Sequence, residues 1–327
     1  MNRTAARLVV LAALVSAAPA AALADERYAL IVTGATGGDD YARQYARWSE
    51  TLTQTLVEGL QIDAARVTAL SESPEPERAA TAANIRRVLA SLRERLGQDD
   101  LLFVMLIGHG TFDGVDAKFN LVGPDMESSE WASLLRGLPG RLVVVNSTAG
   151  SFPFLERLAG PRRVVITATD SVAQRFDTVF PEHFVAALSG EAGDIDKNGR
   201  ISIWEAFAMA AGGVRRYYQQ QGQLATERPL LDDTGDGVGR EAIGPGTAKG
   251  DGSLASRTYL DKPLPGAAPT DEVMLMLLQQ RTALEAEAEE LQVKKTFMQP
   301  EEYAQEFERV MIELAKVSRA IRQRVKS

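Results

Sequence analysis

The chain has 327 residues, a formal charge of −8, 45% hydrophobic residues and no cysteine. That length accommodates one large domain plus a smaller unit. An acidic balance without basic clusters argues against nucleic-acid binding, and the missing cysteine excludes disulfides, a lipoprotein anchor and any thiol nucleophile.

At the N-terminus Arg3 and Arg7 precede an apolar run from Leu8 to Val15, and Ala22-Leu-Ala24 offers a small-x-small cleavage site. This reads as a signal peptide over 1–24, with an apolar run too short to span a bilayer comfortably. The expected mature chain starts near Asp25, lies in a bacterial periplasm or is secreted, and carries −10 once the two arginines are removed from −8.

Residues 27–33 form a short apolar run ending in Gly34-Ala-Thr-Gly-Gly38, a first strand and its turn. A helix is expected from Tyr41 to Leu60, with Trp48, Leu52, Leu56 and Leu60 at helical spacing. Arg66–Leu70 reads as a second strand, followed by a Pro-rich acidic loop over 71–78. Thr81 to Leu96 then reads as a helix with Ile85, Val88, Leu89 and Leu92 on one stripe. Asp100–Ile107, Leu142–Val145 and Arg163–Thr167 are further apolar strands of the kind buried on both faces of a parallel sheet. Strands alternating with helices predict an α/β fold with a mostly parallel sheet over 25–239, whose chemistry sits at the carboxyl ends of the strands.

Asp194-Ile-Asp-Lys-Asn-Gly-Arg-Ile-Ser-Ile-Trp-Glu205 matches the EF-hand calcium loop position by position. Asp194, Asp196 and Asn198 supply side-chain oxygens, Gly199 takes the turn, and Arg200 offers a backbone carbonyl. Ser202 serves directly or through water, and Glu205 is the bidentate acid. Pro181–Leu188 and Ile203–Gln220 are the expected flanking helices, placing the whole unit at 181–220 with Ca2+ as the implied cofactor. Asp, Asn and Gly are also turn residues, so an acidic surface turn is the competing reading. Asp232, Thr234 and Asp236 begin a candidate second calcium loop, but Ile243 stands where its bidentate acid belongs.

Residues 240–270 are rich in Gly, Pro, Ala and Ser and read as a surface loop and linker. Residues 271–327 read as a coiled-coil-like helical hairpin turning near Gln299-Pro300. Leu277, Leu284 and Leu291 with Ala288 mark one helix, and Val310, Leu314, Val317 and Ile321 a heptad seam on the other. Such a hairpin either packs on the domain or supports assembly into oligomers.

Thr33-Gly-Ala-Thr-Gly-Gly38 resembles the glycine-rich dinucleotide turn of short-chain dehydrogenases, but Asp39-Asp40 stand where the helix should begin with glycine, opposing a phosphate. Gly108-His109-Gly110 ends the third strand, where glycines let a backbone approach a ligand. His183, on a predicted helix, reads as structural or exposed.

A hydrophobic strand ending in His-Gly, followed by a strand ending at a nucleophile, resembles the legumain and caspase clan of cysteine peptidases. The carrying residues are Phe103–Gly110, Asn120–Asp125, Leu142–Ser151 and Val164–Thr169, within about Arg27 to Gly239. The resemblance is nearest to bacterial legumain-like proteins with an EF-hand insertion, and implies an α/β/α sandwich. By position it makes His109 the catalytic histidine and Gly110 an oxyanion amide. The nucleophile falls on Thr148, or on Ser147 or Ala149 if the register slips. No cysteine is present, so the implied role is a pseudo-peptidase that binds or scaffolds an unidentified protein or peptide, with no membrane anchor. Two alternatives stay open. One is a peptide or amide hydrolase using Ser147 or Thr148 with His109, for which Asp113 is the acidic orienter within reach in sequence. The other is a structural assembly protein built on 271–327.

Overall fold

A computed structural model describes residues 25–174, 176–190, 193–242, 250–262 and 298–324, with scattered positions between 273 and 295. The expected leader, 1–24, lies outside the described residues, as do 243–249 and 263–272 of the expected linker and hairpin.

The strands are β1 (Arg27–Thr33), β2 (Val67–Leu70), β3 (Leu101–Ile107), β4 (Gly110–Phe112), β5 (Ala117–Phe119), β6 (Met126–Glu127), β7 (Arg141–Asn146), β8 (Arg163–Thr167) and β9 (Leu230–Asp232). Six of them form one sheet in the order β2-β1-β3-β7-β8-β9. All neighbours pair parallel except β9, which runs antiparallel to β8. Every residue of β1 and β3 is buried. A strand covered on both faces has no solvent side to make polar, which is why these segments read as unbroken apolar runs.

The helices of the domain are α1 (Asp39–Gln54), α2 (Ala82–Arg95), α3 (Ser128–Leu135), α4 (Phe152–Leu158), α5 (Phe180–Ser189) and α6 (Ile203–Gln220). One sheet face, with Ile31, Phe103, Met105 and Val145, packs against Trp48 and Leu52 of α1, Phe184 of α5 and Phe207 of α6. The opposite face, with Leu30, Val104 and Val144, packs against Leu89 of α2, Trp131 of α3 and Phe154 of α4. Each large apolar side chain so buried contributes about 2 kcal/mol relative to exposure. The α2 stripe Ile85, Val88, Leu89 and Leu92 is buried, and Thr81 caps its start by accepting from Asn84 N at 3.3 Å. α1 ends as an α-helix at Gln54, and a wider π-helical turn carries Thr55–Gly59, placing Leu56 in the core.

Two regions depart from expectation. Between β3 and α3 the chain folds β4, β5 and β6 into a small antiparallel sheet. Strands of two or three residues carry no measurable period. The linker expected over 240–270 does not hold at 250–262. There Ala255, Thr258, Tyr259 and Leu260 are buried, and Ser202 bridges Tyr259. The segment also reaches β1, where Arg27 Nε donates to the Tyr259 carbonyl at 3.3 Å. Its Gly, Ser and Ala residues are small because they pack, not because they are solvated.

Helix α7 (Pro300–Arg324) buries Val310 and Val317 in a cluster with Leu284, Ala288 and Leu291, flanked by Leu314 and Ile321. Among the described residues no helix is long and apolar enough to cross a membrane.

Candidate metal centre and histidine cleft

α5 and α6 are joined by the loop that carries Asp194–Glu205. The loop turns through left-handed backbone at Lys197 (φ 62°) and Gly199 (φ 84°), and glycine relieves the second. Asp194 accepts from Asn198 N at 3.0 Å and Gly199 N at 2.9 Å. Asp196 accepts from Asn198 N at 3.0 Å and Asn198 Nδ2 at 2.9 Å. Asn198 Oδ1 in turn accepts from Arg200 N at 2.8 Å. Glu205, fully buried at the start of α6, takes N–H groups from Ile195 (3.0 Å) and Asp196 (3.1 Å) on one oxygen and from Ser202 (2.9 Å) on the other.

Asp194, Asp196 and Glu205 thus present carboxylate oxygens that lie within 4.8 Å of one another, the one such acidic group among the described residues. Burial, then repulsion from Glu205, raises the proton affinity of Asp196, and burial raises that of Glu205. Like charges gathered out of water without a counter-charge behave this way. An all-oxygen donor set of this kind fits a hard cation such as Ca2+.

Two sequence-assigned positions have additional roles. Ser202 Oγ is taken up by the helix start, donating to Glu205 Oε2 at 2.8 Å and accepting from Glu205 N at 3.2 Å, a capping box. The Arg200 guanidinium pairs with Asp261 at 2.6 Å and lies 3.9 Å from the centre of the Tyr259 ring, clasping the loop to 258–261. The second candidate loop is put together differently. Asp232 ends β9 and accepts from its own turn, at Thr234 N, Gly235 N and Gly237 N. Asp236 accepts from Val238 N, and Thr234 donates back to Asp232. Thus Asp232, Thr234 and Asp236 brace a turn and join no carboxylate cluster among the described residues. The edge of the first loop is bridged instead by Tyr259.

His109 leaves β3 after Gly108, which has φ 148° and packs against Gly34. Its ring does not face the proposed nucleophiles. Nδ1 lies 3.0 Å from Asp177 Oδ1, and Nε2 lies 3.1 Å from the Thr36 carbonyl and 3.3 Å from the Tyr45 hydroxyl. Nδ1–H can donate to Asp177, while Nε2 either donates to the Thr36 carbonyl or accepts from the Tyr45 hydroxyl according to the ring's tautomer. The Tyr41 ring meets the imidazole edge-on at 4.8 Å, and its hydroxyl donates to the second Asp177 oxygen.

The carboxylate that meets His109 is therefore Asp177, not Asp113. Asp113 accepts from Val115 N and Asp116 N and pairs with Lys118 at 3.0 Å; the backbone donor of Asp116, then Lys118, holds its carboxyl below the usual range. Asp177 was not legible beforehand, because it sits in a loop far along the chain with no motif around it.

Ser147 and Thr148 follow β7 and are buried. Ser147 Oγ donates to the Leu106 carbonyl at 2.6 Å. Thr148 Oγ1 has no hydrogen-bond partner, and it is packed so tightly against Gly110 that a Cβ there would overlap it. The structure brings Gly110 and Thr148 together, while the His109 ring is engaged by Asp177, Thr36 and Tyr45. Ala149 has no hydroxyl, and Ser151 is buried against Thr169 at 3.0 Å. His183 is half-buried on α5, against Gly213 of α6.

On the far side of His109 lies a cavity of about 260 Å³, lined by Tyr41, Tyr45 and Trp48 of α1, by Asp177 and Thr178, and by Tyr217 of α6, among others. Val179, another lining residue just ahead of α5, donates its N–H to the buried Glu227 carboxylate at 3.1 and 3.0 Å. Burial pushes the Glu227 carboxyl up to about 8. An unfolded glutamate titrates near ~4.5, so the folded state holds the extra proton between those values and loses stability as pH rises from about 4.5 through about 8. Glu227→Gln is expected to remove that slope. Denaturant melts at pH 5 and pH 8 should show wild type losing about 3.5 kcal/mol more than the variant across the window. Equal losses would mean the carboxyl is ionised throughout.

No family model matches the chain, and no curated protein matches it. Among solved structures it is similar to the crystal structure of protein GSU0716 from Geobacter sulfurreducens, at 17% identity, over 63% of this chain and 92% of that one, with a TM-score of 0.38.

Proposed function

We propose that this protein is an exported, calcium-binding, legumain-like pseudo-peptidase that acts by binding or scaffolding a protein or peptide. The observation that carries the non-catalytic reading is the state of the hydroxyls after β7. Ser147, Thr148 and Ser151 are all buried, and the His109 ring is held by Asp177, Thr36 and Tyr45 instead of by any of them. A hydroxyl nucleophile needs an aligned base and an approachable oxygen, and the burial of these hydroxyls with the ring engaged elsewhere weighs against both. The legumain-like part of the reading is supported by the His109-Gly110 turn after β3 and its packing against Thr148 after β7. The calcium part is supported by the convergence of Asp194, Asp196 and Glu205. Calcium held there would tie α5 to α6, and with them one wall of the cavity beside His109.

The test is turnover of a peptide and amide library with and without about 1 mM calcium, the range of extracellular sites. No cleavage that depends on His109 is expected. Cleavage abolished by both His109→Ala and Thr148→Ala, or by His109→Ala and Ser147→Ala, would make the protein a hydrolase.

A further inference from the structure

The cavity beside His109 has a lining with a definite chemical preference. Four aromatic side chains face it, Tyr41, Tyr45, Trp48 and Tyr217, together with the carboxylate of Asp177. Among the described residues no lysine or arginine lines it. Aromatic faces carry negative potential, so such a wall attracts cations. Asp177 adds a carboxylate to that wall.

Around His109 the polar atoms of the lining are engaged with one another, while the Gln44 amide and the Tyr217 hydroxyl line the cavity elsewhere. Asp177 receives the Tyr41 hydroxyl on one oxygen and faces His109 Nδ1 with the other. The Tyr45 hydroxyl faces His109 Nε2, and the Thr178 hydroxyl donates to the Ser147 carbonyl. A primary ammonium or a guanidinium brings three or five N–H donors and loses its hydration on entering. It would find each Asp177 oxygen already holding one donor, and an aromatic wall that returns few of the hydrogen bonds it gives up. A quaternary ammonium carries the same charge and has no donors to satisfy.

We propose that this cavity binds a methylated, quaternary ammonium group, either of a small free molecule or of a trimethylated lysine side chain. The volume suits one compact head group, not an extended ligand. Phe176, beside Asp177 in the chain and 73% exposed, offers apolar surface to whatever the head group is attached to. The proposal rests on the reading of this cleft as a binding site, but it does not require calcium or any hydrolytic step.

The test is titration calorimetry on the full chain, with and without about 1 mM calcium. The probes are choline, its neutral isostere 3,3-dimethylbutan-1-ol, ethanolamine, and a short peptide with trimethyllysine beside the same peptide with unmodified lysine. Choline or the trimethyllysine peptide is expected to saturate, with the isostere, ethanolamine and the unmodified peptide at least about tenfold weaker. Tyr217→Ala, at a partly exposed position, and Asp177→Asn should each weaken the quaternary probe by about tenfold, with folding checked by unchanged melting curves. A peptide tighter than choline assigns the group to a protein, and the reverse assigns it to a free molecule.

Equal binding of the neutral isostere would reduce the cavity to an apolar hole. Equal binding of ethanolamine would remove the preference for a cation without donors. Either result, or no saturation by either quaternary probe up to about 10 mM, overturns the proposal. Quaternary-ammonium binding that persists in a protein with no calcium affinity would leave this site standing and remove the calcium part of the functional reading.

Discussion

Glu205→Gln is expected to lower calcium affinity by at least about 100-fold, close to 3 kcal/mol, in a calorimetric titration. Glutamine replaces a charged, two-oxygen group by one carbonyl oxygen and an amide that cannot ligate a hard cation. The same change acts on the empty loop. Glu205 collects the N–H groups of Ile195, Asp196 and Ser202 on its two oxygens, and an NH2 on either side would meet a donor head-on. Against that, removing one charge relieves Asp196, whose proton affinity Glu205 raises. The two effects oppose each other without metal, so calcium response is the sharper measurement. Wild type should melt at higher temperature as calcium rises, because a ligand that binds only the folded state stabilises it by mass action. The variant should not respond. If wild type takes up no calcium at millimolar levels, Asp194–Glu205 is a turn braced by its own hydrogen bonds and a capped helix.

The largest loss of stability is expected from Gly34→Ala, about 4 kcal/mol in denaturant unfolding. Gly34 sits where the chain leaving β1 crosses the chain leaving β3. Its N–H donates to the Ile107 carbonyl at 2.9 Å, and Ala35 N donates to the Asn120 carbonyl at 3.1 Å. A Cβ on Gly34 would overlap that same Asn120 carbonyl, with the Phe119 ring at 3.2 Å. Backbone cannot swing aside as a side-chain tip can, so one of the crossing segments must move. The Thr36 carbonyl against His109 would move with it, and the His109 ring should lose its fixed orientation, visible as broadened imidazole resonances. A loss under about 1 kcal/mol would show that the crossing yields easily.

This position also shows what the sequence did and did not reveal. Gly34-Ala-Thr-Gly-Gly38 was legible as a turn after a strand, and its glycines invited comparison with a phosphate cradle. The structure gives Gly34 a different reason, close passage of backbone over backbone. The parallel strands were legible because burial on both faces leaves only apolar residues. The helix stripes were legible because α1 and α2 each bury one side.

What escaped had no local pattern. Asp177 reaches His109 from a loop 68 positions away, as the pairing of Nδ1 with its carboxylate shows. Trp48 read as part of an ordinary core stripe with Leu52 and Leu56, and only the fold reveals that it lines a cavity with Tyr41 and Tyr45. The burial of Tyr259 and Leu260 was hidden within a composition that also describes linkers. Strands β4, β5 and β6 are too short to impose a period.

The segment 250–262 has a consequence for the order in which the molecule becomes complete. It holds the acidic loop through Arg200 and Asp261, and it touches the first strand through Arg27 and through the pairing of Lys262 with Glu26 at 2.7 Å. Residues 232 and 236 positions apart therefore meet at one seam. A chain emerging from its N-terminus can lay down β1, the sheet and both helices of the α5–α6 unit, yet it cannot close this seam until residue 262 has appeared. Until then the loop lacks its bridge to Tyr259 and the stacking partner of Arg200. Closure of the domain and final shaping of the carboxylate cluster thus become a single late event, so a nascent chain stopped near residue 242 would hold its sheet without its finished loop.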